Sequence, residues 1–181
     1  SGRQVFLDYK FHDIPETVKQ AVARAADLGA GLLTVHATPQ VMKAAVEGRG
    51  GSEYPRILAV TVLTSLSADD LKAMGHPQSP AELVEMRARQ AIEAGCDGVV
   101  ASGHEAAAIR RLSSGRPFLI VTPGIRPAGA EKQDQTRVVT PKAAIKADAD
   151  YLVVGRPITR AADPCAAAEI IVAEIEAATG E

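Results

Sequence analysis

Apolar residues fall in short blocks that alternate between two spacings. Val5-Phe6-Leu7-Asp8-Tyr9-Lys10 begins apolar and ends charged; beyond Pro15 the apolar positions Val18, Ala21, Val22, Ala25 and Leu28 recur at helical intervals. A strand followed by a helix is predicted. The succession repeats: Gly31 to His36 before a helix from Pro39, Ile57 to Leu63 before one from Pro80, and Gly98 to Ala101 before one from Glu105. Further strands are predicted at Phe118 to Val121 and Tyr151 to Val154. A last helix runs from Pro164 to Ala178, with Asp163 as N-cap and Pro164 in its first position.

Three strands are entered through similar wording: Asp27-Leu28-Gly29-Ala30, Glu93-Ala94-Gly95-Cys96-Asp97 and Lys146-Ala147-Asp148-Ala149-Asp150. In each, Gly or Asp after the last helical turn supplies a residue that tolerates the left-handed conformation. The strands that follow are too apolar to face water on either side, as in a parallel sheet covered by helices. Alternating β and α units with short joints imply such a sheet, open or closed into a barrel. Six units of about 30 residues account for the 181 residues, whereas an eightfold barrel needs about 250. Either the fold is a six-stranded open sheet, or two units of roughly 60 residues in all precede Ser1.

Composition narrows the function. Lys and Arg number 20 against 22 Asp and Glu, a formal charge of −2, with no basic run, which argues against a nucleic-acid partner. No apolar stretch approaches the ~20 residues of a membrane helix. Cys96 and Cys165 are far apart and lack CxxC partners, so they read as core fillers in a protein of the reducing cytoplasm, without a disulfide or zinc site. No signal peptide is read at the start.

In folds of this kind ligands sit at the carboxyl ends of the strands, and here those ends are polar. Asp8-x-Lys10-x-x-Asp13 is the densest: alternation puts Asp8 and Lys10 on one face, and the expectation is a cation held between two carboxylates. His36, Thr64, Ser65, Ser102 and His104 follow the next three strands. Gly155-Arg156 follows the sixth, where a backbone amide and a guanidinium suit a phosphate. Residues 125–139 form a polar stretch with Arg126, Gln133, Asp134, Gln135 and Arg137, expected to be a lid over a phosphorylated small molecule. Asp8, Asp13 and His36 could be assembled into a metal site only on paper, and His36 reads better as a structural residue.

The run Phe6 to Thr17 (FLDYKFHDIPET) closely resembles the signature of the bacterial orotidine 5′-phosphate decarboxylase family. The likeness continues through Leu63-Thr64-Ser65, Thr122-Pro123-Gly124-Ile125-Arg126-Pro127, Asp134-Gln135 and Val154 to Thr159, in order and over nearly the whole chain. The resemblance implies a (β/α)8 TIM barrel with six of its eight units in residues 1–181, a single domain lacking its first two units. It implies a cytoplasmic homodimer that converts orotidine 5′-phosphate to UMP and CO₂, the last step of pyrimidine synthesis, without metal or organic cofactor. Lys10 would protonate C6, Asp8 would face the substrate carboxylate, and Asp13 would reach a neighbouring site across the dimer interface, with Thr17 beside it. Thr64 and Ser65 would meet the pyrimidine. Pro123 would lie at the substrate, and Arg126, Gln135, Gly155 and Arg156 would hold the phosphate.

Two departures stand out. Tyr9 occupies a position where the family usually has a smaller aliphatic, and is expected to pack against helices. The family's further Asp and Lys, on the first and second barrel strands, are outside this sequence. Alternatives are a magnesium-dependent sugar-phosphate decarboxylase or synthase of the same superfamily, which shares Asp-x-Lys-x-x-Asp, or a catalytically incomplete phosphate-ligand-binding fragment.

Overall fold

The computed structural model describes residues 2–127 and 137–180. In chain order the elements are β1 (Phe6–Phe11), α1 (Pro15–Asp27), β2 (Leu32–His36), α2 (Pro39–Arg49), β3 (Arg56–Val60), α3 (Ala68–Ala73) and α4 (Pro80–Ala94). They continue with β4 (Gly98–Val100), α5 (Ala106–Ser113), β5 (Leu119–Thr122), α6 (Pro141–Lys146), β6 (Tyr151–Leu152), α7 (Arg156–Thr159) and α8 (Pro164–Thr179). Among the described residues, the six strands are all parallel, lie side by side in sequence order, and curl into part of a barrel.

The period-2 pattern divides the sheet into two faces. Leu33, Val35, Ile57, Ala59, Val99 and Ile120 point outward into the main core, against Val22, Met42, Leu83 and Ile109 of the helices. Leu32, Leu58 and Val121 point inward, with Phe6, Val100 and Leu119 packed beside them. The central strands are therefore covered on both sides, which is why they read as unbroken apolar runs. At the margins Tyr9 and Tyr151 are exposed.

The repeated joint behaves as its wording predicts. Gly29, Gly95 and Asp148 have φ of 73°, 81° and 66°, turning the chain out of α1, α4 and α6. Two residues after the turn in the last two cases, a carboxylate is fixed to the neighbouring strand: Asp97 accepts the Ile57 amide at 2.7 Å and Asp150 the Ile120 amide at 2.7 Å. Each is also paired with an arginine, Arg49 with Asp97 and Arg110 with Asp150.

Some expectations are corrected. The sixth strand stops at Leu152, and the short helix α3 lies where none is predicted. A Ser67–Asp70 capping box starts α3, a signal present in the sequence. Cys165 is exposed on α8, whereas Cys96 is buried and its thiol is pushed up to about 12 by burial. Tyr9 points to the helix side but stays 64% exposed, its ring tilted at 36° to that of Phe11 with centroids 5.6 Å apart. Among the described residues no helix is long and apolar enough to cross a membrane.

Candidate functional site

The sheet departs from regular pairing at one point in β1. Leu7 pairs with Leu33 and Phe11 with Val35, so four steps along β1 oppose two along β2, a bulge with two extra residues. Asp8 and Lys10 lie in the bulge. Lys10 has φ 51°, a left-handed conformation that costs a residue with a Cβ roughly 1–2 kcal/mol. Its Nζ donates to Asp8 Oδ2 at 2.6 Å.

Beneath the pair lies Thr34 of β2, fully buried. Its Oγ1 accepts the Lys10 backbone N–H at 2.9 Å and donates to Asp8 Oδ1 at 2.9 Å. The amide that the bulge takes out of the ladder is thereby satisfied by a side chain.

Asp8 and Lys10 open into a cavity of ≈ 190 Å³ whose wall includes Phe6, Thr64, Ser65 and Pro123. Five predicted site residues, Asp8, Lys10, Thr64, Ser65 and Pro123, thus come together. Asp13 does not complete a carboxylate–cation–carboxylate array as expected. Its Oδ1 accepts the Ile14 amide at 2.7 Å, and it lines a second depression with Tyr9, Phe11, His12 and Thr17, bordered by Lys10. The turn after β1 carries Asp13 past the mouth of the cavity, toward the outer side. Among the described residues no group of three His, Cys, Asp or Glu is arranged to hold a metal ion, so Asp8, Asp13 and His36 stay apart as a ligand set.

The residues expected to hold a phosphate emerge from the last strands. Arg126 follows β5 and is 8% exposed, its Nη1 donating to the Ile125 carbonyl at 2.8 Å. Gly155 and Arg156 open α7 just beyond β6. Gly155 is exposed, and a Cβ there would meet nothing within 4 Å. Of the expected lid at 125–139, both ends are joined: Ile125 bridges Val139, and the Arg126 amide donates to the Val139 carbonyl at 2.9 Å. Gln133, Asp134 and Gln135 lie outside the described residues.

Arg137, expected on the exposed lid, is instead largely buried. Its Nη1 meets Glu105 Oε1 at 2.9 Å, and its Nη2 donates to the carbonyls of Val62 at 3.1 Å and Leu63 at 3.2 Å, on the segment that carries Thr64 and Ser65. His36 stacks on His12 with ring centroids 4.5 Å apart. Burial, and then the charges of His12, Arg87 and Lys10, hold the His36 imidazole below its ordinary value. The sequence pattern singles out neither Thr34 nor Glu105, and it places Arg137 on a lid rather than in a buried ion pair. A threonine within a strand looks like any strand former, and no local pattern joins Arg137 to carbonyls more than seventy positions earlier.

Comparison with known proteins accords with this arrangement. The family model for "Orotidine 5'-phosphate decarboxylase / HUMPS family" matches residues 1–171. An orotidine 5′-phosphate decarboxylase of Rhodopseudomonas palustris (strain BisA53) is 57% identical over 179 residues, covering 99% of this chain and 75% of its own. That of Methylobacterium nodulans is 58% identical over 180 residues, covering 98% and 75%. The crystal structure of orotidine 5′-phosphate decarboxylase from Lactobacillus acidophilus superposes with a TM-score of 0.81 at 41% identity, over 96% of this chain and 76% of that one. The chain therefore has six units of a TIM barrel and spans about three quarters of the length of these relatives, whose names do not favour the magnesium-dependent alternative. By sequence, fold and the match along residues 1–171, this chain belongs to the orotidine 5′-phosphate decarboxylase / HUMPS family.

Proposed function

We propose that the protein is a carboxy-lyase that converts orotidine 5′-phosphate to UMP and CO₂, with Lys10 as the proton donor. The observation that carries this is the Asp8–Lys10 pair at 2.6 Å, set in a bulge and facing a cavity walled by Thr64 and Ser65. When the bond between C6 and the carboxylate breaks, its electron pair stays on C6. The Lys10 ammonium stabilises that charge as it develops and then gives C6 a proton, which it regains from water. Asp8 holds the ammonium in place and sets a like charge beside the substrate carboxylate.

Thr64 and Ser65 meet the pyrimidine, and Pro123 packs along it. Arg126, Gly155 and Arg156 take the phosphate, whose binding energy is then available at the reacting centre; the likeness of the sequence to the family adds Gln135 to this set. Asp13 and Thr17 serve a neighbouring site in a cytoplasmic homodimer. Their exposure beside Ile14 and Tyr9, which are 67% and 64% exposed, supports an interface there.

The test is an assay of the protein on orotidine 5′-phosphate that follows substrate absorbance and released CO₂, with and without EDTA. Equal turnover in both arms is expected. Turnover abolished by EDTA would transfer the reading to the magnesium-dependent relatives, and UMP binding without turnover would reduce it to a phosphate-ligand binder.

A further inference from the structure

The Thr34 hydroxyl closes a ring of hydrogen bonds that contains both reacting residues. The Lys10 N–H donates to Thr34 Oγ1, Thr34 Oγ1 donates to Asp8 Oδ1, and Asp8 Oδ2 accepts from Lys10 Nζ. Thr34 is fully buried, so no water competes for its hydroxyl. A hydroxyl has a single proton to donate, and with the Lys10 amide filling an acceptor position, that proton is directed to Asp8.

Two features of the bulge need such a group. Bulging removes the Lys10 amide from the β1–β2 ladder, and an unsatisfied amide next to a buried wall costs as much as a lost hydrogen bond. Lys10 also holds φ 51°, which persists only where its surroundings over-determine it. A backbone carbonyl of β2 could accept the amide but could not also donate to a carboxylate. A hydroxyl does both with one atom.

We infer that Thr34 is a positioning residue for the decarboxylation: through its two hydrogen bonds it fixes the Asp8 carboxylate and the left-handed Lys10 backbone in register, so that the ammonium is aimed before substrate arrives. This rests on the reading of Asp8 and Lys10 given above. Thr34 touches no substrate. Its loss should therefore slow the chemical step and leave substrate binding, which the phosphate side supplies, nearly unchanged.

The experiment compares Thr34→Val, close in shape but without the hydroxyl, with Thr34→Ser, which keeps it. Steady-state kinetics on orotidine 5′-phosphate are measured for both alongside Lys10→Ala, after circular dichroism has confirmed folding. For Thr34→Val the expected fall in kcat is about 10- to 100-fold, the worth of one hydrogen bond to a charged group, with KM within about threefold of the parent. Thr34→Ser should recover kcat to within about threefold. Should the valine variant not fold, Thr34→Ala removes the same hydroxyl without adding a methyl, and carries the same expectation. A hydroxyl-free variant with parental kcat, or a serine variant as slow as the valine one, overturns the inference. If Lys10→Ala keeps parental turnover, the reading of the site itself fails; if that variant is inactive while Thr34→Val is not impaired, only the role of Thr34 falls.

Discussion

Arg137 and Glu105 form a largely buried ion pair, Nη1 to Oε1 at 2.9 Å, with side chains 13% and 9% exposed. The same guanidinium holds the Val62 and Leu63 carbonyls, so one residue at the end of the 125–139 stretch braces the loop that bears Thr64 and Ser65. Removing one partner of such a pair strands the other charge. Arg137→Met should lower unfolding stability by about 3 kcal/mol, read from urea denaturation. The double variant Arg137→Met/Glu105→Leu should regain most of that loss, because no uncompensated charge remains. A single variant with the parental urea midpoint would remove the brace from the account.

Lys10→Ala separates binding from chemistry. If, as proposed, the Lys10 ammonium acts in the transition state, kcat should fall by about 10²- to 10⁴-fold or more. Isothermal titration should still show UMP binding, with a Kd within about tenfold of the parent. Near-parental kcat would contradict the role given to Lys10.

Arg156→Ala should show the opposite split. If its guanidinium meets the phosphate, UMP affinity should weaken by about 10- to 100-fold, the worth of a charged hydrogen-bonding group. Uridine, which lacks the phosphate, provides the control: its binding should be insensitive to the substitution.

The stacked pair His12 and His36 predicts a pH dependence of stability. Burial first, and then the charges of His12, which stacks on it, Arg87 and Lys10, hold the His36 folded-state value below 6.5. Between the folded value and 6.5 the unfolded chain binds more protons than the folded one, so this contribution is fully present above 6.5 and is lost as pH falls through that window. Thermal midpoints should drop as pH is lowered through this range, and His36→Gln should flatten the slope. An unchanged slope in that variant would assign the effect elsewhere.

Much of this was legible in the sequence because it rests on local chemistry. Period-2 alternation in Phe6-Leu7-Asp8-Tyr9-Lys10 puts Asp8 and Lys10 on the inner face, and the bulge preserves that. Gly29, Gly95 and Asp148 announce their turns by residue type alone. What escaped depends on distant partners. The spacing Asp8-x-Lys10-x-x-Asp13 suggests a cation between two carboxylates, whereas the turn after β1 takes Asp13 to another surface, a separation that only the family resemblance anticipated. Arg137 reads as one more polar residue of a long loop, since the carbonyls it serves belong to the segment after β3. Thr34 carries no signal, because the irregularity it serves lies in β1 and not in its own strand.

The extra residues in β1 number two, and the parity matters. One inserted residue would turn Asp8 and Lys10 toward the helices or expel Phe11 from the core it borders; two change the reach of the pair and leave every other side chain on its own face. Length variation at this strand in related chains should therefore be tolerated in even steps, and an odd insertion or deletion would have to be offset before Phe11 for both the core and the lysine to stay in place.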